Sequence, residues 1–241
     1  TTTEVSFSPN YKKKYPTFEF YFNKNENKDF HPKINQFFEY ILPYFPILED
    51  HHMVISSINS FPHSSGIASS ASAMAALALC VVDFEKQFHP ELGEQDFFKK
   101  ASFLARLGSG SAARSIKGPL TLWGKSPAFR NSSDLYAIPF ESGIHPVFKS
   151  YCDTVLIVDR DKKQVSSSVG HQLMQGHPFA VNRFDQAHKN CELLKSVLKT
   201  GDIEQFIEIT ESEALSLHSM MMTSRPRYIL MQPNTLSIIN S

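Results

Sequence analysis

The sequence predicts an α+β protein in which strands and helices occupy separate stretches of the chain. Segments that alternate apolar and polar residues cluster in the first 60 residues, whereas segments with helical periodicity dominate beyond residue 166. Strands and helices do not alternate strictly, as they would in a doubly wound parallel sheet. With 241 residues, 41% of them hydrophobic and 20% charged, the chain can bury a core as one large domain or two small ones.

The first part of the chain is predicted to form a half-buried sheet and three helices. The elements, in order, are strands at 2–8 and 17–22, a helix at 32–44, a strand at 52–60, and helices at 69–87 and 94–107. The first two strands are expected to be antiparallel neighbours joined by a polar loop. Helix 69–87 has small and apolar residues around its whole circumference, which predicts a buried helix.

The remainder begins with short strands and becomes helical. Strands are predicted at 118–124, 135–140 and 155–159, and helices follow to about residue 175, at 182–198 and at 203–222. The turn-rich stretch Gly143 to Pro146 is the predicted boundary between two lobes, residues 1–145 and 146–241.

Composition excludes several classes of partner. Twenty-four Lys and Arg balance 24 Asp and Glu, so no global field would draw the protein to nucleic acid or to an anionic membrane surface. No apolar run approaches the roughly 18 residues of a membrane span. The three cysteines are far apart, which argues against a disulfide framework or a zinc knuckle. We therefore expect a cytoplasmic protein that captures any anionic ligand locally.

A small-residue segment, residues 59–73, follows the third strand and opens the buried helix. Free backbone N–H groups and the positive end of a helix dipole favour an anion, and small residues let the backbone approach it closely. The segment therefore predicts a phosphate-binding loop. Its candidate residues are Ser64, Ser65, Gly66, Ser69 and Ser70. The alternative is that these residues only cap a tightly packed helix.

A second segment of this kind, residues 105–115, follows helix 94–107 and adds Arg106 and Arg114. Arginine presents a planar fork of donors that matches carboxylate and phosphate oxygens. The alternative is a flexible turn with solvated arginines. Glycines in this segment match the dinucleotide-binding fingerprint by letter, but that fingerprint must follow a strand and not a helix. A third serine run, residues 165–170, begins the second lobe, and an ordinary N-cap for the next helix is the alternative to a functional role.

In these segments the chain resembles the diphosphomevalonate decarboxylase family of the GHMP kinase superfamily. The resemblance rests on FPHSSGIASSAS at 61–72, ARLGSGSAARS at 105–115, VSSSVG at 165–170 and MTSRPRY at 222–228, in that order. It implies a two-lobed GHMP kinase fold, a homodimer, and use of ATP and Mg²⁺. It also implies phosphorylation of the 3-hydroxyl of 5-diphosphomevalonate, followed by loss of phosphate and CO₂ to give isopentenyl diphosphate.

The resemblance also implies roles for individual residues. Arg114 would position the substrate carboxylate and, with Ser111, form the catalytic set. The implied substrate-binding residues are Lys33, Ser109, Gly110, Ser111, Ala112, Ala113, Arg114 and Ser168. The implied ATP phosphate-binding residues are Ser64, Ser65, Gly66, Ser69, Ser70 and Ser167. No protein metal ligand is implied.

The chain departs from the family pattern in places. Ser168 stands where relatives carry Thr or Arg, His171 where many carry Met, and Ala113 where many carry Cys or Ser, differences that bear on substrate detail. The family's Lys-Tyr-Trp-Gly-Lys-like and Asp-Ala-Gly-Pro-Asn-like segments do not occur, so we expect a piece of a longer protein. Two alternatives stay open: a kinase that phosphorylates mevalonate or a mevalonate phosphate without decarboxylation, and an inactive fragment that only binds or assembles.

Overall fold

The computed structural model describes residues 1–11, 15–61, 67–140, 143–158, 170 and 173–241. The chain divides into two compact units, Thr1–Phe140 and Glu141–Ser241. The sequence places this boundary a few residues later, between residues 145 and 146. Within the described ranges, no helix is both long and apolar enough to cross a membrane.

The first unit is built on a four-stranded sheet. Its strands are β1 (Thr2–Pro9), β2 (Thr17–Phe22), β3 (Asn25–Glu26) and β4 (His51–Ile58), in the order β1-β4-β2-β3. Strand β4 is antiparallel to β1 and parallel to β2. The expectation that β1 and β2 are paired neighbours is therefore wrong, because β4 lies between them. An alternating pattern shows which face of a strand is buried but does not identify its partner.

Three helices cover one face of this sheet. They are α1 (His31–Ile41), α2 (Ser69–Lys86) and α3 (Glu94–Gly108), each close to its predicted bounds. Helix α1 also supplies the crossover that the parallel pairing of β2 and β4 requires. It ends earlier than predicted, because Pro43 cannot continue an α-helix and Leu42–Tyr44 form a 3₁₀ turn.

The core lies between the sheet and the helices. Helix α1 contributes Ile34, Phe37, Phe38 and Ile41, and β4 contributes Met53 and Ile55. Helix α2 buries residues around much of its circumference, as predicted. At Gly108 the three helices meet closely: a Cβ there would lie 2.7 Å from Met74 Sδ and 2.8 Å from Phe37 Cδ2.

Two short strands complete the first unit. They are β5 (Thr121–Leu122) and β6 (Ile138–Pro139), which pair antiparallel. The predicted strands at 118–124 and 135–140 are confirmed in place but are shorter than expected.

The second unit is largely helical where it is described. Its helices are α4 (Ala180–Thr200), α5 (Ile203–Thr223) and α6 (Pro233–Ile239). Gly201, with a left-handed φ of 83°, ends α4, and the Asp202 side chain caps α5 by accepting from the Gln205 N–H. An ion pair between Arg183 and Glu213 links the two long helices.

Two predictions for the second unit are wrong. Residues 155–158, predicted as a strand, are irregular, and Val155, Leu156 and Ile157 are exposed. The described part of this unit contains no strand to pair with them, and a lone strand leaves its backbone groups unpaired. Residue 170 is helical, as predicted, but residues 173–176 form turns, so the predicted end of this helix near residue 175 is wrong.

Candidate functional site

Helix α2 begins at Ser69 without a capping side chain. The preceding residue, Ala68, has a left-handed backbone with a φ of 52°, and the first turn contains no acidic residue. The first N–H groups of a helix have no acceptor within it, and they lie at the positive end of the helix dipole. Ser69 and Ser70 are half-buried at this end. This geometry suits an anion such as a phosphate.

The two predicted small-residue segments meet at this helix end. The hydroxyls of Ser70 and Ser109 lie 3.4 Å apart, a hydrogen bond between residues 39 positions apart in the sequence. Ser109 comes directly after α3 and has an extended backbone, and the 3₁₀ segment Gly110–Ser115 follows it. We call Ser109–Ser115 the substrate loop, after the role that the resemblance seen in the sequence implies for it. The structure thus brings Ser69 and Ser70 together with the first residue of this loop.

Residues of the substrate loop differ in burial. Ala112 and Ala113 have buried side chains, so only their backbone groups could face a ligand. Ser111 is half-buried and Arg114 is exposed. No hydrogen bond or ion pair joins the Arg114 guanidinium to another described residue. Its planar set of donors is therefore available for a carboxylate or a phosphate.

Lys33 lies in the first turn of α1, half-buried and without an ion pair to the described residues. Burial lowers the pKa of its ammonium group, because the charged form is poorly solvated there. An anion placed beside Lys33 would favour the charged form again. No described hydrogen bond connects Lys33 to Ser70 or to the substrate loop.

Five predicted site residues cannot be placed. Ser64, Ser65, Gly66, Ser167 and Ser168 lie outside the described residues. Of the predicted ATP phosphate-binding set, the structure therefore describes Ser69 and Ser70.

Sequence reasoning missed Ser102. This residue on α3 is 2% exposed, and its hydroxyl donates to the Ala113 carbonyl at 2.8 Å and accepts from the Ala137 N–H at 2.8 Å. It therefore holds the substrate loop through the backbone beside Arg114. The available signal was a serine on the apolar face of a helix, which must find hydrogen-bond partners when it is buried.

A protein metal centre is not evident. In the part of the chain that the structure describes, no group of three or more His, Cys, Asp and Glu residues could hold a metal ion.

Comparison with known proteins identifies the family of this chain. The model of the diphosphomevalonate decarboxylase-like N-terminal domain matches residues 1–136. The chain belongs to the diphosphomevalonate decarboxylase-like family. The resemblance seen in the sequence motifs is thereby confirmed.

Curated relatives of this diphosphomevalonate decarboxylase-like chain include enzymes with two named substrates. The diphosphomevalonate decarboxylase of Candida albicans is 29% identical over 201 residues, which is 82% of this chain and 52% of the relative. The phosphomevalonate decarboxylase of Haloferax volcanii is 25% identical over 193 residues, which is 80% of this chain and 54% of the relative. The chain thus spans about half the length of the curated relatives it matches.

Solved structures confirm the α+β, GHMP-type fold. A mevalonate diphosphate decarboxylase from Staphylococcus aureus has a TM-score of 0.77 at 25% identity, covering 99% of this chain and 67% of the solved one. A second structure, solved in complex with MVAPP, AMPPCP and magnesium, has a TM-score of 0.75 at 24% identity, with 99% and 68% covered. At that identity the second likeness shows the fold alone.

Proposed function

We propose that the protein to which this chain belongs is an ATP-dependent decarboxylase of 5-diphosphomevalonate in isoprenoid synthesis. The observation that carries the proposal is the approach of Ser70 to Ser109. It joins an uncapped helix N-terminus, suited to nucleotide phosphates, to a loop with an unpaired arginine, suited to a carboxylate. A reaction that needs a phosphoryl donor and a carboxylate in one place fits such a site.

The phosphate side of the site is assigned to the start of α2. The backbone and hydroxyls of Ser69 and Ser70 would bind the ATP phosphates, supported by the missing cap and the absence of acidic residues in the first turn. By family resemblance, Ser64, Ser65, Gly66 and Ser167 complete this set.

The substrate side is assigned to the substrate loop and Lys33. Arg114 would hold the substrate carboxylate through its guanidinium, and Ser109, Gly110 and Ser111 would contact the mevalonate chain. Ala112 and Ala113 would contribute backbone groups because their side chains are buried. By resemblance, Ser168 is a further substrate-binding residue, and Lys33 binds the substrate diphosphate.

The reaction proceeds in two steps. The 3-hydroxyl oxygen of the substrate attacks the γ-phosphorus of ATP, ADP leaves, and the hydroxyl proton is lost. The C3–O bond then breaks and its electron pair leaves with phosphate. The bond to the carboxylate also breaks, its electron pair forms the new C=C bond, and CO₂ departs. Arg114 would orient the carboxylate during this elimination, and donors at the start of α2 would stabilise the phosphoryl group in transfer.

Mg²⁺ is expected to enter with the nucleotide, because this cation commonly binds through substrate phosphates and few protein ligands. When bound, it neutralises charge on the phosphoryl group being transferred. A homodimer and a cytoplasmic location are further parts of the proposal. Family resemblance supports both, and sedimentation and cell fractionation test them.

Product analysis of the intact protein tests the proposal. Incubation with ATP, Mg²⁺ and 5-diphosphomevalonate is expected to yield isopentenyl diphosphate, ADP, phosphate and CO₂ in equal amounts. A parallel assay with 5-phosphomevalonate addresses the substrate named for the Haloferax volcanii relative. Phosphorylated substrate without CO₂ would indicate a kinase, and no turnover of either compound would overturn the proposal.

A further inference from the structure

A backbone segment outside the substrate loop is held by side chains from both sides of that loop. We call residues 133–137 the strap. Arg106, on the last turn of α3 before the loop, donates from Nε to the Leu135 carbonyl at 2.9 Å. Trp123, which follows the loop, donates from Nε1 to the Asp134 carbonyl at 3.0 Å. Two consecutive carbonyls of the strap therefore accept from residues that flank the loop.

Trp123 also packs on the substrate loop itself. A Cβ on Gly110 would lie 3.3 Å from Trp123 Cη2, so the edge of the indole ring lies against the Gly110 backbone. The chain next to the indole is tied to the strap as well. The Gly124 N–H donates to the Ser133 carbonyl at 3.0 Å, and the Lys125 N–H donates to Asp134 Oδ1 at 2.8 Å.

Arg106 and Arg114, the two arginines of segment 105–115, consequently differ in role. Arg106 uses its Nε–H on a carbonyl of the strap, and its guanidinium lies 5.4 Å from the centre of the Phe103 ring. Arg114 is exposed, and its guanidinium has no hydrogen bond or ion pair to the described residues. An arginine engaged on the backbone fixes local structure, whereas an unpaired one is free to bind a ligand.

We propose that Arg106 and Trp123 are positioning residues, which fix the substrate loop through the strap so that Arg114 meets the substrate carboxylate. The proposal rests on the proposed function, because it takes Arg114 as the carboxylate-binding residue. Displacement of a binding group by about 1 Å can cost on the order of a hundredfold in rate, so anchoring both flanks of the loop has a direct consequence for the site.

A double-mutant cycle on the binding of 5-diphosphomevalonate tests this proposal. Arg106→Met removes the donor while keeping an unbranched side chain. We expect it to weaken binding, measured by calorimetry, about tenfold when Arg114 is present and less than about twofold in the Arg114→Gln background. Arg130→Met is the matched control, since Arg130 is exposed and its side chain has no hydrogen bond or ion pair to the strap or the loop among the described residues. We expect no change from it.

Other results would overturn the proposal. If the effects of Arg106→Met and Arg114→Gln add, Arg106 contacts the substrate independently of Arg114. Unchanged affinity in Arg106→Met would show that the strap contact does not position the loop. If Arg106→Met fails to fold, Trp123→Phe replaces it in the cycle, because this change removes the N–H donor to the strap and retains a smaller aromatic ring at this position. The same non-additivity is expected.

A spectroscopic measurement separates this proposal from the proposed function. Trp123 is the single tryptophan of these 241 residues, so the tryptophan fluorescence of this chain reports on the contacts of the Trp123 ring with the strap and with Gly110. We expect Arg106→Met to increase acrylamide quenching of Trp123. If the intact, unmutated protein does not bind 5-diphosphomevalonate but Arg106→Met increases the quenching, the proposed function fails while the coupling of strap and loop is supported. Unchanged quenching would overturn that coupling whatever the binding result.

Discussion

The Ser70 and Ser109 hydroxyls lie 3.4 Å apart, although one residue lies in the first turn of α2 and the other follows α3. This contact places the loop that presents Arg114 next to the helix end that best suits a phosphate. Neither segment alone defines a reaction, since anion-binding helix ends and exposed arginines are common separately. Their proximity is what favours chemistry that combines a nucleotide with a carboxylate.

Arg114 is predicted to be essential for substrate binding and unimportant for stability. Losing one partner of a charge pair with a bound ligand costs about 2–5 kcal/mol, so Arg114→Ala should lower kcat/KM of the intact protein by roughly 30-fold or more. Because Arg114 is exposed, the free energy of unfolding of the Arg114→Ala variant should differ from that of the wild type by less than about 0.5 kcal/mol. Steady-state kinetics and urea unfolding measure the two effects. Arg130→Ala serves as control, and activity retained in Arg114→Ala would contradict the assignment.

Ser102 is predicted to contribute strongly to stability. Ser102→Ala would leave the buried Ala113 carbonyl and Ala137 N–H without their present partner. An unsatisfied buried polar group costs about 1–3 kcal/mol, and we expect a loss of this size in urea unfolding. Ser6→Ala, a change on the exposed face of β1, should have little effect. Equal stabilities of the two variants would show that the Ser102 bonds do not hold the loop.

The pKa of Lys33 predicts a specific pH dependence of stability. Burial lowers this pKa in the folded protein, so between the lowered value and the ordinary 10.5 the unfolded chain binds more protons. Stability contributed at this position therefore rises with pH through that window and is constant below it, where the ammonium is charged in both states. The free energy of unfolding can be measured for the wild type and for Lys33→Met from about pH 8 to 10.5. Over this range the wild type should gain stability relative to Lys33→Met.

Lys33→Arg provides the control for this measurement. Arginine stays charged throughout the window, so this variant should show no rise relative to Lys33→Met. A wild-type curve parallel to that of Lys33→Arg would mean that Lys33 is not the group responsible.

Gly108 is predicted to tolerate no side chain. An added Cβ would lie 2.7 Å from Met74 Sδ and 2.8 Å from Phe37 Cδ2, so Gly108→Ala should destabilise the first unit by about 1–3 kcal/mol through overpacking. The control is Gly143→Ala, where a Cβ would meet nothing within 4 Å. Thermal unfolding compares the two. A Gly108→Ala variant as stable as this control would show that the three helices are not in close contact at Gly108.

The sequence predicted elements with a clear period better than it predicted their partners. Apolar spacing located α2 and α3 to within a residue or two, because helix periodicity is local. The same alternation in β1 and β2 was consistent with a hairpin, and only the tertiary structure shows that β4 lies between them. The run at 155–158 has strand-like composition, but a strand also needs a neighbour, which composition does not supply.

Site prediction had a similar limit. Small residues at a helix start and arginine in a following loop pointed to anion binding from chemistry alone, and the structure brings Ser70 and Ser109 together. The different environments of Arg106 and Arg114 could not be predicted, because Arg106 is hydrogen-bonded to a carbonyl 29 residues away in the strap. Residues that hold a loop through distant backbone groups leave little trace in local sequence.

In the second unit, Gly170 and Tyr228 are predicted to depend on each other. A Cβ at Gly170 would lie 2.5 Å from the Tyr228 hydroxyl oxygen, whereas the next nearest atoms, Tyr228 Cζ and Met221 Cε, are 3.7 and 3.9 Å away. Gly170→Ala should therefore destabilise the unit by about 1–3 kcal/mol. Tyr228→Phe removes the clashing oxygen, so the double variant should recover most of this loss in thermal unfolding.

Additive losses in that double variant would contradict the contact between Gly170 and Tyr228. Recovery would also bear on the proposed site, because Gly170 ends the 165–170 run that contains Ser167 and Ser168. If this run contacts phosphate, Gly170→Ala should raise the KM for ATP in the intact protein. Tyr228→Phe should restore the KM together with the stability, since both effects arise from the same displaced backbone.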